Sequence, residues 1–133
     1  MKIFLPVYFI LMTCLGFWVY QESELSESRA RGKEVYADFC VTCHLDNGEG
    51  VAYTFPPLAN SDFLATKREA SIHAVKYGLQ GEITVNGTTY NSAMTAMGLE
   101  DEEVADVMNY IMNAWGNTQD EMVTVKEVEA IEK

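Results

Sequence analysis

Cys40-Val41-Thr42-Cys43-His44 places two thiols and an imidazole within five consecutive residues. The pattern Cys-x-x-Cys-His is the short signature of covalent c-type haem attachment. Two thiols can add to the two vinyl groups of a haem, giving two thioether bonds. Two intervening residues let both sulfurs reach one porphyrin edge from a single helical turn. The adjacent His44 is then delivered under the ring, where an imidazole nitrogen can ligate iron. A group held this way exchanges electrons, so the pentapeptide speaks about function as well as structure.

Two other chemistries use the same letters. A Cys-x-x-Cys redox dithiol usually follows a strand in a βαβ unit, whereas the segment before Cys40 reads as a helix. A tetrahedral zinc site needs a second pair of ligands at suitable spacing. The only other histidine is His73, and the third cysteine, Cys14, lies in an apolar N-terminal run. If His44 is one axial ligand, the other must come from His73 or a methionine. Met108 and Met112 fall on a helical core stripe, where packing accounts for them. Met122 sits near the C-terminus, and His73 lies on a short helix. Met94 and Met97 occupy a loop from which a side chain can project into a pocket.

The elements that must position these residues are legible from periodicity. Gly32, Val35, Tyr36, Phe39 and Cys40 share one face of a helix running from near Ser28 to Cys40. Gly48, Gly50 and Pro56-Pro57 mark a long loop after the pentapeptide. A second helix covers Lys67 to Tyr77 and stops at Gly78. Ile83 to Tyr90 reads as a hairpin, with Asn86-Gly87 supplying a type I′ turn. The last long helix runs from Asp101 to Trp115, with Val104, Val107, Met108, Ile111, Met112 and Trp115 on one stripe. Thr124-Val125-Lys126-Glu127 has the capping-box form and opens a short terminal helix.

The 133 residues carry a net charge of −11, and residues 21–133 hold 8 cations against 20 anions, a formal charge of −12. That surface argues against nucleic acid as a partner and favours encounter with electropositive patches on other proteins. The first twenty residues differ in kind. Ile3 to Tyr20 is apolar but for Thr13, a run of about 27 Å as a helix, near the thickness of a bilayer core. It reads as an uncleaved anchor or a signal peptide, with no good small-residue cleavage site after Gly16. Lys2 places the amino terminus on the inner side, so the domain faces outward. Cys14 reads as a small apolar residue of that helix, with a lipidated cysteine as the alternative. Gln21 to Ser28 is rich in Glu and Ser and reads as an acidic linker. The expected organisation is therefore 1–20 anchor or signal, 21–28 linker, 29–116 domain, and 117–133 tail with a short helix.

On the pentapeptide, on Gly32 and Tyr36 before it, on Pro56-Pro57-Leu58 after it, and on Asn91-Ser92-Ala93-Met94-Thr95-Ala96-Met97-Gly98 leading into Leu99-Glu100-Asp101-Glu102-Glu103, the sequence resembles a class I c-type cytochrome over roughly residues 30–116. Thr95 stands where many bacterial members have proline, and Glu100 where they have a helix-capping serine; the latter should weaken the cap. The resemblance implies an all-α, cytochrome c-like fold: a few helices around one covalent haem c, a small β-hairpin, and the apolar N-terminal helix ahead of it. It implies Cys40 and Cys43 as attachment points, His44 and Met94 as iron ligands, and Pro56 as the carbonyl that accepts a hydrogen bond from the His44 ring. It also implies a close crossing of first and last helices at Gly32, with Tyr110 at the contact. The expected function is single-electron transfer between redox proteins on the periplasmic side of a bacterial inner membrane, without catalysis of bond-making. The alternatives are a haem c subunit of a larger oxidase or dehydrogenase, and a haem enzyme or sensor with an open sixth position.

Overall fold

The computed structural model describes the backbone of residues 4–133 and their side chains except at 4–7, 9, 18, 19 and 21–23; the expectation for Lys2 lies outside the described residues. Helix α1 (Phe4–Phe39) is followed by α2 (Val41–His44), α3 (Asp62–Thr66), α4 (Arg68–Tyr77), strands β1 (Ile83–Val85) and β2 (Thr88–Tyr90), α5 (Asp101–Ile111) and α6 (Val125–Glu129). Segment 21–28, read from composition as a linker, is helical and continuous with both neighbours. Among the described residues, no helix is long and apolar enough to cross a membrane.

The frame is the crossing of α1 on α5. A side chain at Gly32 would run into the carbonyl of Asp106, so only glycine lets the two backbones approach here. One turn further on, Tyr36 packs against Tyr110 with ring centroids 5.6 Å apart. Val104, Val107, Met108, Ile111 and Met112 are all buried, as the stripe requires. The helix ends at Ile111, before Trp115, because the chain turns back there. Trp115 adopts φ 51° and brings its ring 5.0 Å from Tyr36 and 5.3 Å from Tyr110. At the other end of α5, Glu103 compensates for the missing serine: its carboxylate accepts from the Glu100 N–H at 2.9 Å. The expected weakness of that cap is offset from within the first turn.

Helix α3 escapes a reading by periodicity because it has only five residues, but its start signal is present. Ser61 caps it, accepting from the Leu64 N–H at 3.3 Å. The hairpin turns at Asn86 (φ 50°) and Gly87 (φ 76°), the type I′ geometry, in register Val85↔Thr88 and Ile83↔Tyr90. It is fixed to α3 reciprocally: Asn86 N–H donates to Asp62 at 2.7 Å, and Asp62 N–H to Asn86 at 3.0 Å.

Residues 117–133 pack into the core. Val123 and Val128 are fully buried. Asn109, also fully buried, donates to Ser28 Oγ and to the Val123 carbonyl and accepts from Gln119 and from the Val123 N–H. That uses its entire hydrogen-bonding capacity. Thr124 caps α6, accepting from the Glu127 N–H at 3.2 Å, while the Glu127 carboxylate binds Arg68 through two bonds of 2.6 and 2.9 Å. The Arg68 guanidinium holds the Glu127 carboxyl below its ordinary value of 4.5. A carboxylate depressed in the folded state stabilises above its unfolded value and loses that contribution as pH falls through the lower folded one. Arg68→Ala is expected to cost about 1 kcal/mol, allowing for screening of a pair whose side chains are each 30% exposed. Amide hydrogen exchange from Val123 to Glu129 should quicken in the variant at pH 7, and the difference from wild type should shrink in acid, where Arg68 keeps only its bonds to Gln119 and the Glu121 carbonyl. An unchanged exchange rate at pH 7 would remove the clamp from the account.

Candidate functional site

Every side chain of the pentapeptide that can do chemistry is turned to one side by a single turn of helix. The Cys43 and His44 amides both donate to the Cys40 carbonyl, at 3.2 and 3.0 Å. Residues three and four apart then share a face. The turn ends at Leu45, which adopts φ 62°, and the Leu45 carbonyl accepts from the Tyr36 hydroxyl at 2.6 Å. Burial pushes the Tyr36 phenol above its ordinary value, so it remains a donor.

The following loop folds back on the turn. Gly50 N–H donates to the His44 carbonyl at 3.1 Å, the Gly48 carbonyl accepts from Leu58 and Ala59, and Val51 pairs with Phe55. Gly50 has φ 63°, and a side chain there would meet the backbone of Phe55 and Pro56. The result places the Pro56 carbonyl 3.0 Å from Nδ1 of His44. A carbonyl can only accept, so Nδ1 carries the proton. Burial lowers the His44 value, opposed by this hydrogen bond. The ring is therefore neutral at neutral pH, with its lone pair on Nε2. Among the described residues Nε2 has no hydrogen-bond partner.

Nε2 belongs to a ring that lines a cleft of two compartments. Both are bounded by Cys40, His44, Pro56, Leu79, Ile83 and Met94, so they form one space. Its inner wall adds Val75, Val107 and Ile111. Its outer wall adds Phe39, Cys43, Phe55, Tyr90 and Met97. Phe39 is 42% exposed because it stands at the cleft's mouth. Met94 is held by its backbone: its N–H donates to Leu79 at 2.9 Å and its carbonyl accepts from Leu79 at 2.8 Å. Gly78, at φ 87°, permits this, since a side chain there would strike the Met94 carbonyl. Leu79 was not evident as a site residue from periodicity; its signal is the glycine that stops α4 immediately before it.

Cys40, Cys43, His44, Pro56 and Met94 thus line one cleft. Met97 lies at its outer wall, 36% exposed. His73 is elsewhere, its ring 5.2 Å from Tyr77 and facing α6. Met108 and Met112 are buried in the core. All three cysteines are free. Burial, with the neighbouring Cys43, pushes the Cys40 thiol up to about 11, the reverse of the lowered value a redox dithiol needs. No group of three or more His, Cys, Asp or Glu side chains among the described residues could hold a metal ion, so a zinc site finds no second set of ligands. An apolar cleft with two thiols and a neutral imidazole on one wall and a thioether at another fits a covalently attached haem.

Known proteins point the same way. The family model described as cytochrome c matches residues 29–115. Cytochrome c-552 of Thermus thermophilus is 43% identical over 100 residues, covering 71% of this chain and 67% of that protein. The cytochrome c subunit of the quinone alcohol dehydrogenase of Gluconobacter oxydans is 32% identical over 105 residues, 75% of this chain but 21% of that subunit. The gluconate 2-dehydrogenase cytochrome c subunit of Pantoea cypripedii is 35% identical over 108 residues, 77% of this chain and 24% of that subunit.

Proposed function

This chain belongs to the cytochrome c family, and we propose that Cys40 and Cys43 carry its haem, that His44 and Met94 hold the iron, and that electrons pass through the outer mouth of the cleft. The protein is an electron carrier with covalently bound haem c, not a catalyst of bond-making. The observation that carries the residue assignment is the His44–Pro56 hydrogen bond of 3.0 Å. It fixes the tautomer and the plane of the ring, leaves Nε2 toward the cleft, and raises its basicity.

Bound in this cleft, haem iron supplies a one-electron couple. The chain's own residues set its terms. Cys40 and Cys43 tie the group to the end of α1. Met94, pinned through Leu79, offers a neutral thioether, which favours ferrous iron more than a second imidazole does. The apolar inner wall excludes water. Were His44 and Met94 both to hold the iron, it would be closed to small ligands; a haem with an open sixth position is the contrary reading. Intact mass and a visible spectrum of the purified protein test this. The expected protein carries one haem, has low-spin iron with a weak far-red sulfur–iron band, and does not take up carbon monoxide. High-spin iron that binds carbon monoxide readily would return the open-site reading.

The acidic surface suits redox partners with electropositive docking faces. We place the domain on the outer side of a bacterial inner membrane, held by its N-terminal segment. In support, Ile10, Leu11, Met12, Leu15 and Phe17 are 52–63% exposed on α1. They point around the helix rather than along one stripe, the pattern of a helix that meets lipid. Service as a fixed subunit of a dehydrogenase is the second reading, favoured by the likeness to the Gluconobacter and Pantoea subunits. Co-purification after mild detergent extraction separates it from a mobile carrier.

A further inference from the structure

Helix α1 runs unbroken for 36 residues, about 54 Å. Its two ends live in different surroundings. The N-terminal part carries the exposed apolar side chains just described. From Ser28 onward it is fixed to α5 and the turn that follows. Ser28 donates to Asp106 at 2.6 Å, Arg29 to the Asn113 carbonyl at 3.2 Å, and Arg31 to Asp106 at 2.6 and 2.8 Å, while Gly32 lies against the Asp106 backbone. Between the apolar run and this docked part lie residues 21–27, a stretch of about 10 Å.

No glycine or proline occurs between Gly16 and Gly32, so nothing in the chain breaks the helix there. A short isolated peptide of this composition would not hold a helix, because nucleation is costly. Here helix flanks the bridge on both sides, so only propagation is required. Glu27 and Arg31 lie one turn apart in the favourable order, acid before base, and Glu27 adds to the field that raises the Arg31 value.

We propose that α1 is a stiff stem that sets the height and facing of the haem cleft above the bilayer, so that the cytochrome serves a partner embedded in the same membrane. This rests on the reading that residues 1–20 are retained in lipid. From Tyr20 to Cys40 the stem spans about 30 Å, and each residue turns the cleft by about 100° about the helix axis. A swinging tether would present the cleft in every direction; the stem presents it in one. The formal charge of −12 on residues 21–133 also keeps this part of the chain from settling on anionic lipid.

The test uses the full-length haem-loaded protein in oriented lipid multilayers. Electron paramagnetic resonance of the haem is recorded as the sample is rotated in the field. The wild type should give a spectrum that changes with angle, as should a variant with seven alanines, about two turns, inserted after Ser26. A variant with residues 21–27 replaced by a Gly-Ser heptamer should give the same spectrum at every angle. Independently of the haem, a glutamate-specific protease should cut the wild type at the exposed Glu24 and Glu27 roughly tenfold or more slowly than a Gly-Ser variant that keeps only those two glutamates. An angle-independent wild-type spectrum, or equally fast cleavage of the two proteins, refutes the stem. An intact mass lacking the first twenty residues refutes the membrane reading and the stem together, so the two failures are told apart.

Discussion

Replacing Cys40 and Cys43 together by alanine yields a polypeptide without covalent haem and without a cooperative fold. The first half of that outcome follows from chemistry: two thioether bonds need two thiols, and Cys14 at the far end of α1 cannot substitute. The second follows from packing. The cleft is walled by Val75, Leu79, Ile83, Val107, Ile111 and Met94. With nothing between them they face water. Each 100 Å² of that lining left wet forgoes about 2.5 kcal/mol, whereas the whole stability of a small domain is about 5–15 kcal/mol. Intact mass should lack the haem increment, and far-ultraviolet circular dichroism should show a shallow, non-cooperative melt. Single variants at either cysteine keep one thioether and should fall between. A colourless double variant that melts cooperatively near the wild-type temperature would show that the cleft is not the domain's interior partner.

Met94→Ala has the second-largest effect, and it separates ligand from lining. The iron should lose its far-red sulfur band, shift toward high spin and bind carbon monoxide. Its potential should drop by on the order of 100 mV, within the roughly 0.8 V that axial ligands command. Stability should fall by about 2 kcal/mol from truncation alone, with more if the iron–sulfur bond ties the loop to the core. Met97→Ala and His73→Ala are the controls and should leave the spectrum unchanged. Spectral change in Met97→Ala but not Met94→Ala would move the ligand three residues along the loop.

Much of this arrangement can be read in the sequence because it depends on local rules. The pentapeptide is a turn of helix, so its three side chains converge without help from the rest of the chain. Asn86-Gly87 fixes the hairpin by backbone preference, and the α5 stripe announces a buried face. What could not be read depends on distant partners. Composition makes Gln21 to Ser28 a linker, but its state is set by helix on either side. Met94 lines the cleft, and what holds it is Leu79 across an isolated pair of backbone hydrogen bonds, invisible to any periodicity. Trp115 continues the α5 stripe in sequence but leaves the helix, because its ring completes a cluster with Tyr36 and Tyr110. Glu100 reads as a poor cap until Glu103 is seen to reach back.

The tail bears on how this protein can be cut and rebuilt. The family match stops at residue 115, and a designer ending the chain there would remove three of the four hydrogen bonds of the Asn109 side chain, those with Gln119 and Val123, and would strip away the segment in which Val123 and Val128 are buried. The unit that survives excision, grafting or fusion therefore extends through α6, and the evolutionary boundary and the mechanical one do not coincide.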